Sequence, residues 1–344
     1  MAYTTIDDPS AHFQSILWTG NDTDGRALTN DGNSDLQPDL VWLKNRDVGY
    51  NHIWTDSTRG VTKNLYSNST NAEATVSNKV ESFDTNGFTV GYDGSQVPNK
   101  SPRTFVAWQW KANGGTTSTN TDGDINSTVQ VNSDAGFSIV SYQPTNTTSR
   151  NIGHGLGVTP ALIIIRNRNR IENWRVWHQS IGQGGASLDS TAAYNTATST
   201  LVNTVNSTIF NVGSDFSVNG NYPYIAYCFA EKQGYSKFGK FTANGNSNGA
   251  FVYTGFKPAF LMWKISSGTG NWSILNTDNK NYNVADAYLS ANLTNAETTA
   301  TPVVDLLSNG FKDRFGLLNG STYIYMAFAE NPFVTSTGIP TTAR

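Results

Sequence analysis

Short apolar segments alternate with polar clusters along the whole chain. Residues 15–19 and 238–242 are such segments, and clusters of Gly, Asn, Asp and Ser follow them at residues 20–25 and 244–249. No helical period of apolar positions lies between these segments. Short strands bounded by turn residues are typical of antiparallel sheets, so the pattern predicts an all-β protein built from β-sandwiches.

Three parts of the chain repeat the same order of segments. Each part has a proline-led apolar strand that ends in a basic residue, an Asn-led strand, a turn with an aromatic residue, and a closing aromatic strand. Repeats of about 100 residues have the size of whole domains. In units one, two and three, the proline-led strands are residues 38–44, 160–166 and 258–264, the Asn-led strands begin at 51, 173 and 271, the turns are 86–90, 214–218 and 309–311, and the closing strands are 105–110, 224–229 and 323–328.

The repeat predicts three tandem β-sandwich units of the jelly-roll or lectin-like kind. The polar stretch before the second unit is predicted to be a linker, and the alternation of apolar and polar positions in residues 124–132 allows one extra strand there. The predicted parts are an N-terminal assembly arm (1–12), the first sandwich (13–113), the polar linker (114–136), the second sandwich (137–232), the third sandwich (233–332) and a C-terminal tail (333–344).

Alternation within the closing strands predicts which side chains are buried together. Ile225, Tyr227 and Phe229 lie on one face of a strand because the side-chain period is two. We expect this face to pack against the opposing sheet of the same unit. The proline-led strands are unbroken apolar runs, which predicts central strands that are covered on both faces.

Composition excludes several classes of protein. Charged residues make up 14% of the chain and apolar residues 37%, both below the ordinary averages, whereas aromatic residues reach 12%. Such an aromatic content is sufficient for packed cores and argues against intrinsic disorder. The net charge of -3 supplies no basic field for nucleic acid, and no apolar run approaches the roughly 20 residues of a membrane span. We therefore expect neither nucleic-acid binding nor membrane insertion.

Cysteine usage and the N-terminal residues bear on the compartment. Cys228 is the single cysteine, so an intrachain disulfide is excluded. The N-terminal residues lack the basic and apolar regions of a secretory signal. We therefore expect a protein that is made in a cytoplasm and is stable without covalent links.

Few residues are candidates for catalysis or metal binding. The four histidines, at positions 12, 52, 154 and 178, show no metal-ligand spacing, so no zinc site is expected. Glu73 and Glu297 recur within equivalent Asn-Ala-Glu segments, and a duplicated carboxylate could be catalytic. The second unit lacks the segment, however, and a hydrogen-bonded loop explains it equally well, which favours a structural role. Residues 22–25 and 120–124 resemble calcium loops but lack the late Glu of a full ligand set.

Tryptophan residues raise the alternative of sugar binding, because aromatic faces stack on the apolar faces of sugars. Trp54, Trp174 and Trp272 recur near the middle of each unit, and this repetition favours a place in the core. Trp18 and the aromatic residues beside Gly and Asn turns are the better candidates for the surface.

Several segments resemble a known family of proteins. Residues 5–10, 30–42, 105–111 and 323–333 are similar to virion structural proteins of marine tailed bacteriophages, including those that infect cyanobacteria. The resemblance spans essentially the whole chain, and its motifs belong to the scaffold rather than to a site. It implies a surface or appendage protein of the virion, tail fibre-like, with lectin-like sandwich units. It carries over no catalytic residue.

Three functions are compatible with these observations. The first is a tail-fibre or appendage subunit that contacts the host surface, with weak binding of envelope glycan. The second is a capsid-decorating or connector protein without a ligand. The third is an enzyme acting on surface polysaccharide, which would need paired carboxylates about 5–10 Å apart in a cleft and is disfavoured by the low charge content.

We expect the first of these functions. It implies a virion location after synthesis in the bacterial cytoplasm, other virion proteins as partners, a homo-oligomer, and contact with host glycan. No enzymatic activity and no cofactor are expected, and the sequence assigns no catalytic, metal-ligating or binding residue.

Overall fold

The computed structural model describes residues 2–95, 97–145, 148–196, 198–279 and 283–341. This part of the chain forms 27 strands and no α-helix, and its helical turns are the 3₁₀ helices Pro9–Ala11 and Thr277–Asn279. Asn, Thr, Ser and Gly are poor helix formers, whereas Thr, Val, Ile and aromatic residues favour strands. The prediction of an all-β protein is confirmed.

The strands fall into three groups along the chain. The first group is β1 (Phe13–Thr19), β2 (Arg26–Leu28), β3 (Leu40–Asn45), β4 (Ile53–Asp56), β5 (Lys63–Asn64), β6 (Ala74–Thr75), β7 (Val80–Asp84), β8 (Gly87–Val90) and β9 (Thr104–Trp110). The second group is β10 (Ser118–Asn120), β11 (Ser127–Asn132), β12 (Phe137–Tyr142), β13 (Arg150–Gly153), β14 (Leu162–Asn167), β15 (Arg175–His178), β16 (Ala186–Ser187), β17 (Val202–Val205), β18 (Ile209–Val212) and β19 (Tyr224–Phe229). The third group is β20 (Ser236–Thr242), β21 (Phe251–Tyr253), β22 (Phe256–Ile265), β23 (Ser273–Asn276), β24 (Leu289–Ser290), β25 (Val304–Leu307), β26 (Gly310–Asp313) and β27 (Thr322–Pro332).

Each group forms one large antiparallel sheet. The strand orders are β1-β9-β3-β4, then β10-β11-β12-β19-β14-β15-β16, and then β20-β27-β22-β23-β24. In all three sheets the opening strand pairs with the closing strand, which pairs with the proline-led strand, which pairs with the Asn-led strand. The proline-led strands are therefore interior, as predicted, and the three large sheets share this order of strands. The strand β11 lies within the predicted linker and extends the second sheet.

A three-stranded sheet covers the outer face of each large sheet. The small sheets are β2-β8-β7, β13-β18-β17 and β21-β26-β25, and β5 and β6 form a separate pair. In the first unit, Val41 and Phe105 of the large sheet pack with Phe88 and Val90 of the small sheet. Equivalent cores fill the second and third units. Two packed sheets with an apolar layer between them are a sandwich, so the prediction of β-sandwiches is confirmed.

The inner faces of the three large sheets share one central core. Trp110 of the first unit lies 6.2 Å from Phe229 of the second and 5.7 Å from Phe328 of the third, measured between ring centroids. Phe229 and Phe328 are themselves 5.9 Å apart. Aromatic rings at these distances attract one another and bury large apolar areas. The three sandwiches are therefore joined by a continuous apolar core.

This shared core corrects one prediction about packing. Ile225, Tyr227 and Phe229 pack in the central core rather than against the small sheet of their own unit. The alternate residues of the same strand, among them Ala226 and Cys228, face the small sheet. Alternation along a strand separates two faces, but it does not state which partner covers each face. The proline-led strands have apolar cover on both faces, as predicted.

A second correction concerns the turn that precedes the closing strand of the second unit. Phe88 and Phe311 are buried in their small sheets, whereas Phe216 lies in a loop and is 45% exposed. Phe210 takes the buried position in the second unit. The sequence aligned Phe216 with Phe88 and Phe311 because similar residue types surround them. The register of the strands instead places Phe210 at the equivalent position. The paired residues are Leu28 and Phe88, Ile152 and Phe210, and Val252 and Phe311.

The N-terminal residues pack against the third unit. Thr4 Oγ1 donates a hydrogen bond to the carbonyl oxygen of Gln233 at 2.7 Å, and Ile6 joins the central core. The carboxylate of Asp7 accepts a hydrogen bond from the backbone N–H of Ser336 at 2.6 Å. The segment from residue 2 to residue 12 is thus part of the folded body, and its role in assembly stays a prediction.

Candidate functional site

The basic residues that end the proline-led strands lie at the contacts between units, which we call the seams. Lys44 Nζ donates hydrogen bonds to the carbonyl oxygens of Tyr50 and Thr294, each at 2.8 Å, and Thr294 belongs to the third unit. The same arrangement joins the second unit to the first and the third unit to the second, so the three seams link the units in a ring. Arg166 donates to the carbonyl oxygens of Glu172 and Thr70, and Lys264 to those of Gly270 and Thr191.

Burial weakens the hold of these side chains on their protons. The pKa of both Lys44 and Lys264 falls to about 8, and the pKa of Arg166 falls to about 10, because each charged group loses hydration. Carbonyl oxygens from two units replace part of that hydration. The three cations are structural anchors of the seams.

The repeated Asn-Ala-Glu segments also serve the seams. Glu73 accepts hydrogen bonds from Arg59 at 3.0 Å and from Arg168 of the second unit at 2.8 and 2.9 Å. Glu297 pairs with Arg46 of the first unit at 2.6 Å. Burial alone would raise the pKa of Glu73, but Arg168 and Arg59 hold it below its ordinary value. These contacts give the two glutamates a structural role.

The three repeated tryptophans are core residues, as predicted. Trp54, Trp174 and Trp272 are each at most 2% exposed. Trp174 Nε1 donates to the carbonyl oxygen of Tyr66 across one seam at 2.9 Å, and Trp272 Nε1 donates to that of Ser187 across another at 2.8 Å.

His52 replaces tryptophan at the seam between the third and first units. Its Nε2 lies 3.0 Å from the carbonyl oxygen of Ser290, and its Nδ1 accepts a hydrogen bond from Trp42 Nε1 at 3.0 Å. These partners require the neutral ring with its proton on Nε2. Burial, the largest cause, and the charge of Lys44 lower the pKa of His52 well below its usual range.

Trp18 is not a surface residue, and that prediction is wrong. It is 7% exposed, stacks on Phe105 with ring centroids 5.2 Å apart, and donates through Nε1 to the carbonyl oxygen of Pro98 at 3.2 Å. The adjacent Gly20 marks a turn, but Trp18 itself precedes that turn on a face of β1 that packs in the first sandwich.

The remaining candidates for metal binding have ordinary partners. Asp22 pairs with Lys100 at 3.2 Å, and Asn120 Nδ2 donates to Asp122 at 2.9 Å. His154 is buried, with Nε2 at 3.1 Å from the carbonyl oxygen of Asn206. Within the described residues, no three His, Cys, Asp or Glu side chains are placed to hold a metal ion.

A cleft of about 880 Å³ lies at the seam between the first and third units. Residues around the start of β1 form one wall, and the ends of β22 and β27 form the other. The helix Thr277–Asn279 packs against both β1 and β22, and the helix Pro9–Ala11 packs against both β1 and β27. Each unit therefore reaches across the seam to shape the cleft.

Gln14 fixes the first-unit wall of the cleft. Its Nε2 donates to the carbonyl oxygens of Ser10 and Ser34 at 2.8 and 2.7 Å, and its Oε1 accepts from the backbone N–H of Gly32 at 3.0 Å. A Cβ at Gly32 would lie 2.6 Å from Gln14 Oε1 and 2.8 Å from Ser10 Cβ, so a larger residue there would displace the Gln14 side chain from its hydrogen bonds. The turn that carries Asp31 is consequently held in one position.

Carboxyl groups dominate the charged lining of the cleft. Asp8, Asp31, Asp278 and Glu330 lie in it with one ammonium group, that of Lys257, which pairs with Glu330 at 2.6 Å. The side chain of Asp31 has no hydrogen bond or ion pair with other described residues, so it is available to a ligand. Asn33 and Asn331 add amide groups, and Phe13, Ala259, Leu306 and Ala329 add apolar surface.

Asp278 is the cleft residue with the most altered acidity. Protein surrounds it on most sides, although solvent reaches the carboxyl group from the open side of the cleft. Burial is the largest cause that raises the pKa of Asp278, to about 6, and the charges of Asp31 and Glu330 add to it. Ser15 opposes this effect by donating a hydrogen bond to Asp278. The pKa of Asp278 thus lies closer to neutral pH than that of an ordinary aspartate.

The cleft residues come from distant segments and follow no catalytic motif. Five of them, however, lie in the two short segments 5–10 and 30–42. Those segments therefore line a concave surface as well as belonging to the scaffold. The first-unit residues of the cleft lie close to the third unit because the units share one core. No local pattern in the sequence indicates that core.

Fold and cleft together define an all-β protein of three sandwiches around one core, with one acidic cleft at a seam. A model of the family described as Domain of unknown function (DUF7483) matches residues 8–332, and the chain belongs to this family. Neither the curated proteins nor the solved structures include a match to the chain. No helix among the described residues has the length and apolar character needed to cross a membrane.

Proposed function

We propose that this chain is a structural protein of a tailed-phage virion, an appendage or tail fibre-like subunit that contacts the host surface. The resemblance of its segments to virion proteins supports a place in the virion, and the cleft supports contact with the host surface. A body with a shared core and no disulfide also suits a protein that is made in a cytoplasm and then works outside a cell.

The single observation that carries the host contact is the lining of the cleft. Carboxylates, amides and one ammonium group supply acceptors and donors, and Ala259 and Leu306 add a small apolar surface, whereas the ring of Phe13 is only 3% exposed and packs in the central core. This combination suits a saccharide, which presents hydroxyl groups at its rim and apolar C–H faces on its rings. A few placed polar groups on a partly apolar wall are typical of a ligand site.

The position of the protein on the particle is tested by gold-labelled antibody against the chain on intact virions, viewed by electron microscopy. Label at the tail or at fibre tips is the expected result. Label spread over the head would contradict host contact and would make the chain a capsid-decorating protein.

Binding in the cleft is tested with the purified full chain and polysaccharide extracted from the envelope of host cells. Asp31→Ala combined with Asn331→Ala is expected to weaken binding about tenfold, because each lost hydrogen bond is worth about 0.5–1.5 kcal/mol. Asp35→Ala is the matched control, since Asp35 is an exposed aspartate of the same loop that does not line the cleft. Equal binding by the double variant and the control would remove the cleft from the proposal.

One observation favours a second candidate function, an enzyme that cleaves surface polysaccharide. Asp278 holds its proton to about pH 6, whereas Glu330 is paired with Lys257, so one cleft contains an acid and a carboxylate in different environments. Release of reducing ends from the same polysaccharide, abolished by Asp278→Asn, would establish this activity. No release by the wild-type chain would exclude it for that substrate.

A further inference from the structure

The third unit presents aromatic side chains to solvent on the outer face of its small sheet. Phe251 and Tyr253 are 48% and 52% exposed, whereas Val252 between them is buried in the core of the sandwich. Residues two apart on a strand lie on the same face. The two rings therefore stand side by side on β21, which is the outermost strand of its sheet.

The corresponding strands of the other units carry no such rings. Strand register aligns Val252 with Leu28 and Ile152, because each faces the buried phenylalanine of its small sheet. The residues on either side of these are Ala27 and Thr29 in the first unit, and Asn151 and Gly153 in the second. The core of the small sheet therefore does not require the two aromatic residues at β21.

A third ring comes from the N-terminal segment. The hydroxyl oxygens of Tyr3 and Tyr253 are 3.1 Å apart, and Tyr3 donates a hydrogen bond to the carbonyl oxygen of Gly255 at 2.8 Å. Gly255 has a φ of 85°, and a Cβ there would lie 2.7 Å from the Tyr3 hydroxyl. Glycine at this position thus permits the close approach of Tyr3 to β21.

A groove of about 230 Å³ adjoins these rings. Tyr3 and Tyr253 line it together with Gln233 and the ion pair between Lys237 and Glu231, and with Ser236, Thr254 and Gly255. Its charges cancel, in contrast to the acidic cleft at the seam. The groove therefore offers amide, hydroxyl and charged partners for hydrogen bonds without selecting a charged ligand.

We propose that the outer face of β21 and the adjoining groove form a second saccharide site, for an uncharged sugar chain. Exposed rings in a row offer stacking surfaces to successive sugar residues, and the groove holds one residue by hydrogen bonds. A purely apolar partner would cover the ammonium group of Lys237 and the carboxylate of Glu231, which keep N–H donors and an oxygen beyond their own ion pair, and covering such groups without new partners is costly. Weak contacts at two sites on one molecule strengthen each other when the protein is displayed in many copies.

This inference takes only the class of ligand, a saccharide, from the proposed function. It does not depend on saccharide binding in the cleft. The test is calorimetric or NMR titration of the full chain with neutral hexasaccharides of the cello, malto and N-acetylchito series. Tyr253→Ala and Phe251→Ser are expected to weaken binding about tenfold each, as loss of an aromatic contact does. Tyr253→Trp is expected to retain binding, because it keeps an aromatic face.

Controls separate the two sites. Tyr50→Ala removes an aromatic side chain that is 39% exposed in the first unit and is expected to leave binding unchanged. Asp35→Ala, at an exposed aspartate that lines neither the cleft nor the groove, is also expected to leave it unchanged. Loss of hexasaccharide binding in Asp31→Ala but not in Tyr253→Ala would overturn the β21 site while supporting the cleft. No binding of any of the three series at millimolar concentration would overturn the β21 site as well.

Discussion

Asp189 stands where the other two units have asparagine. Asn68 and Asn292 each use both halves of the amide: the oxygen accepts from a backbone N–H, and the nitrogen donates to a second asparagine. In the first unit, Asn68 accepts from the backbone N–H of His52 and donates to Asn51 Oδ1, each at 2.8 Å. In the third unit, Asn292 accepts from the backbone N–H of Trp272 and donates to Asn271 Oδ1, each at 2.9 Å. An ionised aspartate has no proton to donate.

The second unit therefore has a poorly satisfied carboxyl group at this position. Neither oxygen of Asp189 has a partner of good geometry among the described residues. Contacts with the amides of Asp189 and Trp174, and the charges of Arg166 and Arg175, offset the loss of hydration only in part. Burial raises the pKa of Asp189 to about 6. Compared with the unfolded chain, the folded protein thus favours the protonated form of Asp189.

Asp189→Asn is expected to stabilise the protein at pH 7 by about 1–2 kcal/mol. Because the folded pKa of Asp189 exceeds its unfolded value, the contribution of the acid is fully present below about pH 4 and is lost as the pH rises through 6. The variant lacks this loss, so its advantage grows between those values. Urea unfolding at pH 4, 6 and 7 measures it, and Asn68→Asp is the reciprocal control, expected to destabilise. An advantage that does not change with pH would contradict this explanation.

We expect that one basic residue can replace another at the seams, but that an apolar residue cannot. Lys264→Arg is expected to change the free energy of unfolding by less than about 1 kcal/mol, because Arg166 makes the equivalent contacts in the second unit. Lys264→Met is expected to cost about 2–4 kcal/mol, since it leaves the buried carbonyl oxygens of Thr191 and Gly270 without this donor. Urea unfolding of both variants checks the difference, and equal stabilities would disprove the anchoring role.

At this scale the sequence predicts residue types but not their partners. The basic residue at the end of each proline-led strand is part of the repeat, yet its acceptors are backbone carbonyl oxygens of another unit, which side-chain patterns do not encode. Trp18 illustrates the reverse case, because the turn beside it indicated exposure whereas its face of β1 is covered by the small sheet.

At the scale of elements, one backbone hydrogen bond joins equivalent segments at every seam. The second unit makes this bond through Tyr194, although it lacks the Asn-Ala-Glu segment. The three bonds are Glu73 N to Arg168 O at 2.8 Å, Tyr194 N to Ser266 O at 3.1 Å, and Glu297 N to Arg46 O at 2.8 Å. The duplicated glutamates were visible in the sequence, but the shared position of Tyr194 depends on backbone geometry and has no motif.

Glu73→Ala is expected to destabilise the protein more than Glu297→Ala, by about 2–4 against about 1–2 kcal/mol. Glu73 pairs with two guanidinium groups, of which that of Arg59 is fully buried. Without Glu73, Arg59 keeps Asp56 as its one carboxylate partner, whereas Arg168 loses its own, and weakening the compensation of a buried charge is costly. Chemical denaturation at pH 7 measures the difference. Because the pKa of Glu73 lies below its ordinary 4.5, its contribution is present above that pH and is lost as the pH falls through the folded pKa. A reversed order of the two variants would contradict this assignment.

At the scale of the whole molecule, the units depend on one another. Predictions of all-β structure, of sandwiches and of interior proline-led strands are confirmed, because each follows from patterns within one segment. The shared core was not predicted, since an apolar inner face has the same pattern whether it covers one small sheet or two other units. The cleft depends on this core, because its two walls come from the first and third units.

An isolated unit is therefore expected not to fold. Residues 13–113 alone would expose Trp42, Trp54, Trp108 and Trp110, which the central core buries. Exposed aromatic surface of that extent favours aggregation or a loosely packed state. Circular dichroism and NMR of the purified fragment are expected to show no fixed tertiary structure, and a well-dispersed spectrum would contradict the dependence.

Differential scanning calorimetry of the full chain tests the shared core most directly. One core predicts a single transition, with a calorimetric enthalpy equal to the van't Hoff enthalpy, because no unit can lose its inner packing without exposing that of the other two. Two or three resolved transitions, each with its own enthalpy, would contradict the shared core and with it the cleft between the first and third units.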